Sequence, residues 1–114
     1  MASSFESSDN HSQQHLKPLR VPSLKDGIYS TAKELVDDLP GWSLLSEDES
    51  GGVLQCERKA RPLSSPSRVT IKVEGPEGVP STTVTLRSES DGGLRKCDKA
   101  NIIEFMKLLH RRVV

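Results

Sequence analysis

The densest collection of chemically useful side chains in this 114-residue chain lies over residues 87–101, RSESDGGLRKCDKAN. Arg87, Arg95, Lys96 and Lys99 supply cations, Ser88 and Ser90 hydroxyls, Asp98 a carboxylate and Asn101 an amide. The run leads from an alternating segment, through Gly92-Gly93, into a helical one. Rigid scaffolds often carry functional loops at such positions. Free amides at a helix start can receive an anion, and the neighbouring cations would reinforce them, while Asp91 and Asp98 oppose. Arg87, Ser88, Ser90, Arg95, Lys96, Asp98 and Asn101 are therefore the candidate ligand-binding residues. The same side chains also suit a structural part. Asp98 can cap the helix, Asn101 can fasten the preceding loop, and Arg87 can pair with Asp98 or Glu89.

Other chemistry is thin. Two cysteines, Cys56 and Cys97, cannot make a zinc site, which needs several soft ligands at close spacing. Cys56 alternates with core positions and reads as a small buried apolar residue. Cys97 precedes a helix, whose N-terminus favours a thiolate, but no histidine lies near it in sequence. His11 and His15 fall in a polar N-terminal stretch, and His110 reads as a surface or capping group. No Walker loop and no dinucleotide fingerprint occurs. No catalytic residue, metal or cofactor is assigned.

The charge balance narrows the partners. Sixteen Lys and Arg face sixteen Asp and Glu, for a formal net charge of zero. That argues against whole-molecule steering to nucleic acid or an anionic membrane. Aromatics are only 4% of the chain, and the expected outer strand faces lack the stacking rings an RNA surface would use. No apolar run is long enough for a transmembrane helix. The first 22 residues, rich in Ser, Gln, His and Asn, show no usable apolar period and are expected to be a disordered tail. Glu6 and Asp9 are unlike a transit peptide, and a secretory apolar core is missing. These features suggest the cytoplasm or another intracellular compartment, with organellar import left open.

Residues 23–114 are expected to form one small domain. Ile28, Ala32, Leu35, Val36 and Leu39 give a helix over 27–39 one apolar face. Asp26, or a Thr31–Glu34 capping box, starts it, and Pro40-Gly41 ends it. Four strands follow, over 42–46, 53–60, the region around 69–74, and 81–89. Trp42 and Leu44, then Leu54 and Cys56, then Val69, Ile71 and Val73, then Thr82, Val84 and Leu86 point inward. A last helix over 98–111 buries Ile102, Phe105, Met106 and Leu109, with Ile103 and Leu108 at its edges. The fold class is α+β, in the order α-β-β-β-β-α. An antiparallel four-stranded sheet has both helices on one face, as two layers.

Several of these residues resemble the pattern of DUF1499, a domain family of unknown function. Gly41-Trp42 stands at the family's Gly-Trp, and Gly52 at its hairpin glycine. Arg87-Ser88-Glu89-Ser90 matches its Arg-Ser-x-Ser, and Gly93, Asp98, Asn101, Ile102 or Ile103, and Phe105 follow in order. The match spans about residues 28–110; Asp91 replaces an Arg, and the Asp98–Asn101 spacing departs from the pattern. The resemblance implies a scaffold and no reaction.

Function follows as an expectation from these features. The chain reads as a small non-enzymatic binding or interaction module for a protein partner or a small anionic ligand. A lipid headgroup near residues 87–101 is one form of that ligand. The alternative is a small enzyme using Arg87, Ser90 and Asp98 in a pocket beside the final helix. Oligomeric state stays open, with a monomer favoured.

Overall fold

The computed structural model describes residues 3–8, 10, 16–59, 66–76, 78–90 and 98–113. Strands β1 (Ser3–Glu6) and β2 (Leu19–Val21) precede helix α1 (Lys25–Asp38). Strands β3 (Trp42–Asp48), β4 (Val53–Arg58), β5 (Ser67–Glu74) and β6 (Thr82–Ser90) follow, and helix α2 (Asp98–Val113) closes the chain. All six strands join one antiparallel sheet in the order β1-β6-β5-β4-β3, with β2 also beside β6. Both helices pack together on one face, giving the two-layer α+β architecture expected.

Alternation builds the dry face of the sheet. Leu54 and Cys56 on β4, Val69, Ile71 and Val73 on β5, and Val84 and Leu86 on β6 are buried. Their neighbours along each strand point to the other face and are exposed or half-buried. Ile102, Phe105, Met106 and Leu109 on α2, with Ile28, Ala32, Leu35 and Val36 on α1, complete the core. Burying such side chains contributes roughly 1.5–3 kcal/mol each.

Helix α1 starts at Lys25, earlier than expected, and neither predicted cap forms. Its N-cap position is Leu24, which has no side-chain hydrogen bond, while the Thr31 hydroxyl donates inside the helix to Gly27 O at 2.9 Å. The helix stops as expected before Pro40-Gly41. Gly41 takes φ +85, and a β-carbon there would strike the Arg58 guanidinium. That turn delivers Trp42 to the core, where its ring lies 5.3 Å from Phe105. The Trp42 indole donates to Glu104 Oε1 at 2.7 Å, and Arg58 Nε donates to the same oxygen at 3.2 Å. One carboxylate on α2 therefore holds β3 and β4. Leu44 is half-buried against the core, and a register shift between Leu44 and Ser46 turns Leu45 out to solvent.

Two described parts of the N-terminal stretch, which was expected as a disordered tail, are strands of the sheet. Ser3–Glu6 pairs with 87–90, and Leu19–Val21 pairs with 82–84. Between them Ser7 N donates to Leu86 O at 2.8 Å, and Leu86 N donates to the Ser7 hydroxyl at 3.2 Å. Leu16 and Val21 are buried, and the Lys99 ammonium lies 5.0 Å from the centre of the Phe5 ring. These segments have no apolar period because they build no face of their own. They satisfy the open backbone edge of β6.

Removal of residues 1–7 is expected to destabilise the domain by at least about 1 kcal/mol in urea unfolding, since several ladder hydrogen bonds of β6 are lost. An unstructured tail would leave the midpoint unchanged. Phe105→Ala is expected to cost about 3–5 kcal/mol in the same experiment.

Candidate functional site

Strand β6 sorts the predicted site residues by parity. Ser88 and Ser90 point to the dry face and Arg87 and Glu89 to the wet one. Ser88 Oγ donates to Asp98 Oδ1 at 2.8 Å and accepts from Asn101 Nδ2 at 3.2 Å. Ser90 Oγ lies 3.4 Å from Asp98 Oδ2 as a second donor. Ser88 and Asn101 are fully buried, and Asp98 is 4% exposed. Four of the seven candidates thus meet at the start of α2 and spend donors and acceptors on one another. Arg87 instead pairs on the exposed side with Glu89 at 3.0 Å and Glu6 at 3.7 Å. Arg95 and Lys96 lie outside the described residues, as do Cys97, His11 and His15. Among the described residues no group of His, Cys, Asp and Glu is placed to hold a metal ion. Among the same residues no helix is long and apolar enough to cross a membrane.

The space between α2 and the sheet is taken up by Ile102, Phe105, Met106 and Leu109, none more than 2% exposed. Among the described residues, open volume lies at the end of the sheet where the β3–β4 and β5–β6 connections approach the start of α1. A groove of about 830 Å³ is lined there by Leu24, Lys25, Asp26, Glu49, Ser50, Gly75 and Gly78. That is within the range of small-molecule sites, roughly 300–1,000 Å³.

Local sequence shapes this groove. Gly52 turns the β3–β4 hairpin with φ +69, and a β-carbon there would strike Val73 O. The Asp48 carboxylate accepts from the Ser50 hydroxyl at 2.8 Å and Gly51 N at 3.1 Å, and these bonds hold it below the usual carboxylate range. The end of the Lys25 side chain lies over Gly52, and its charge bears on Asp48. Asp26 and Glu49 form no ion pair among the described residues. Leu24 is 51% exposed, leaving an apolar wall open. Sequence reading passed over this place because its residues come from three separated segments, each a plain turn or helix start.

One turn into α1 from the groove, Tyr29 is buried, and its hydroxyl has no hydrogen-bond partner among the described residues. Desolvation, joined by the charge of Glu47, pushes the phenol above its ordinary value. A sealed polar group of this kind costs about 1–3 kcal/mol. Cys56 is buried as expected, and burial pushes its thiol up to about 12.

No family model matches the chain, and no curated protein does. Solved structures do share its fold. Norcoclaurine synthase from Thalictrum flavum, a point mutant in complex with a transition-state analogue, is 14% identical, with a TM-score of 0.57 over 98% of this chain and 96% of that one. Ara h 8.0201 is 10% identical, with a TM-score of 0.58 over 97% and 99%. Zhui aromatase/cyclase from Streptomyces sp. R1128 is 10% identical, with a TM-score of 0.55 over 98% and 86%. This chain therefore shares the fold of these proteins. This overturns the resemblance to DUF1499: the whole-chain matches are to proteins of a different description, and the motif positions Ser88, Ser90, Asp98 and Asn101 serve a local strand-to-helix contact.

Asp98→Ala is expected to cost about 1.5–3 kcal/mol in chemical denaturation, because the hydroxyls of Ser88 and Ser90 lose a charged acceptor. Cys56 is expected to resist iodoacetamide at neutral pH in the folded protein and to react on unfolding, read by peptide mass spectrometry. Its raised native value also sets a sign. Above the ordinary thiol value of 9.0 the unfolded chain loses the proton first, so stability falls as pH rises from there toward about 12. Cys56→Ala should flatten that alkaline slope.

Proposed function

We propose that this chain binds a small, partly apolar molecule in the groove at the hairpin end of its sheet. The observation that carries the reading is the groove itself: an open apolar wall at Leu24 beside the polar groups of Lys25, Asp26, Glu49 and Ser50. Sites of this kind combine apolar lining with a few polar groups that fix orientation. The described interior between α2 and the sheet is filled, so the rim of the sheet is the more accessible place. An anionic ligand over residues 87–101 has weaker support. The Arg87 guanidinium is paired with Glu6 and Glu89 on the other face, and the buried group on the dry side is a carboxylate.

A second reading is chemistry on the bound molecule. Two of the solved structures that share the fold are, by name, a synthase and an aromatase/cyclase. Ser90 and Asp98 do meet beside α2, as a small enzyme there would need, although Arg87 does not join them. Fold likeness alone assigns no reaction.

Backbone amide NMR during titration with a small-molecule fragment library tests both. Binding in the groove should move the amides of residues 24–26, 49–50, 75 and 78 with saturation. Shifts centred on Ser88, Ser90, Asp98 and Asn101 instead would contradict the groove reading. A change in mass of the bound fragment after incubation would favour the enzymatic reading over binding alone.

A further inference from the structure

We propose that the groove takes a small zwitterion with an apolar branch, of the free α-amino acid class, its carboxylate on Lys25 and its ammonium on Asp26 and Glu49. The inference rests on the groove being a binding site and adds the chemical class of its ligand. The lining carries both signs of charge, Lys25 against Asp26 and Glu49. These groups do not neutralise one another, since none of the three forms an ion pair among the described residues. Lys25 is half-buried, and its end is laid along the hairpin. A β-carbon on Gly52 would come within 2.9 Å of its Cε and 3.3 Å of its Nζ. The Asp48 carboxylate of that hairpin is already engaged by the Ser50 hydroxyl and Gly51 N. The ammonium of Lys25, with its three donors, is thus open to an acceptor on a ligand.

The rest of the lining supplies acceptors and apolar surface. Asp26 stands in the first turn of α1, and Glu49 in the β3–β4 connection. Ser50, beside Glu49, gives its proton to Asp48, so its oxygen is left to accept. An ammonium, with donors and no acceptor, suits this side. Leu24 is 51% exposed, and Val79, next to the lining residue Gly78, is 46% exposed. An apolar branch can lie against them. Ligands of a single charge match only half of this lining. A simple amine meets the repulsion of Lys25, and a simple carboxylate that of Asp26 and Glu49. A bare metal ion is repelled by Lys25 and uses no apolar wall. A zwitterion matches both signs at once, and hydrogen bonds between charged groups are stronger than neutral ones.

The test uses leucine, 3-methylbutylamine and 4-methylpentanoate. The second is leucine without its carboxylate, and the third is leucine without its ammonium. NMR titration of the full chain at neutral pH should show leucine binding at least about tenfold more tightly than either, with shifts at residues 24–26 and 49–50. Lys25→Met keeps an unbranched stem over Gly52 and removes the charge. It should weaken leucine about tenfold and leave 3-methylbutylamine no weaker. Asp26→Asn with Glu49→Gln should weaken leucine by about the same factor and leave 4-methylpentanoate no weaker. Both variants should keep the melting temperature of the parent chain, which separates lost binding from lost folding. Leucine binding no tighter than one of its two fragments, or leucine binding untouched by either variant, overturns the zwitterion inference while the groove reading stands. Groove shifts with library fragments but none with leucine overturn the zwitterion inference alone. Absence of groove shifts with the library and with all three probes overturns both.

Discussion

The rest of this structure depends on the seal between one stripe of α2 and the dry face of the sheet. Ile102, Phe105, Met106 and Leu109 meet the apolar rows of β4, β5 and β6 with almost no exposed surface. In a chain of this length, that contact supplies most of the core, and nothing on it is spare. The Glu104 carboxylate fixes its position by tying α2 to Trp42 and Arg58, and Asp98 ties the helix start to Ser88 and Ser90. At the other end of α2, Arg112 donates to Asp38 at 2.8 Å and so links the ends of the two helices. In the reading proposed above a ligand sits instead at the rim, where hairpin tips and the uncapped start of α1 leave a groove.

The solved structures named above share this fold at only 10–14% identity to this chain. What the fold requires is patterning: alternate apolar residues on long strands and an apolar stripe on a closing helix. Individual identities carry little of it. The Arg-Ser-x-Ser … Asp … Asn pattern illustrates the converse. It describes how a strand hands over to a helix with its buried polar groups paired, a local solution that does not mark a lineage. In that pairing Ser88, Ser90, Asp98 and Asn101 of the richest polar run in the sequence are bonded to one another.

The four later strands, both helices and nearly every core residue could be read from periodicity, because burial on one face leaves a strict record. Val69, Ile71 and Val73 are the clearest case, all buried as their spacing implies. β1 and β2 left no such record, since Phe5 and Val21 are isolated apolar residues in short segments held by backbone pairing with β6. The caps expected of Asp26 and Thr31 failed because α1 begins at Lys25, two residues earlier than its apolar spacing suggests. Parity along β6 separated Arg87 from its predicted companions. The groove was invisible for a different reason: it exists only where residues near 25, 50 and 76 are brought together in space.

The most direct measurement of the account is a set of intermolecular NOEs from a bound small molecule to the protein's methyl and aromatic protons. Contacts to the methyl groups of Leu24, with none to Phe105 or Met106, are the predicted result. Contacts to Phe105 and Met106 would mean that the helix–sheet interior opens to take the ligand, and the closed core with its outer groove would be the wrong picture.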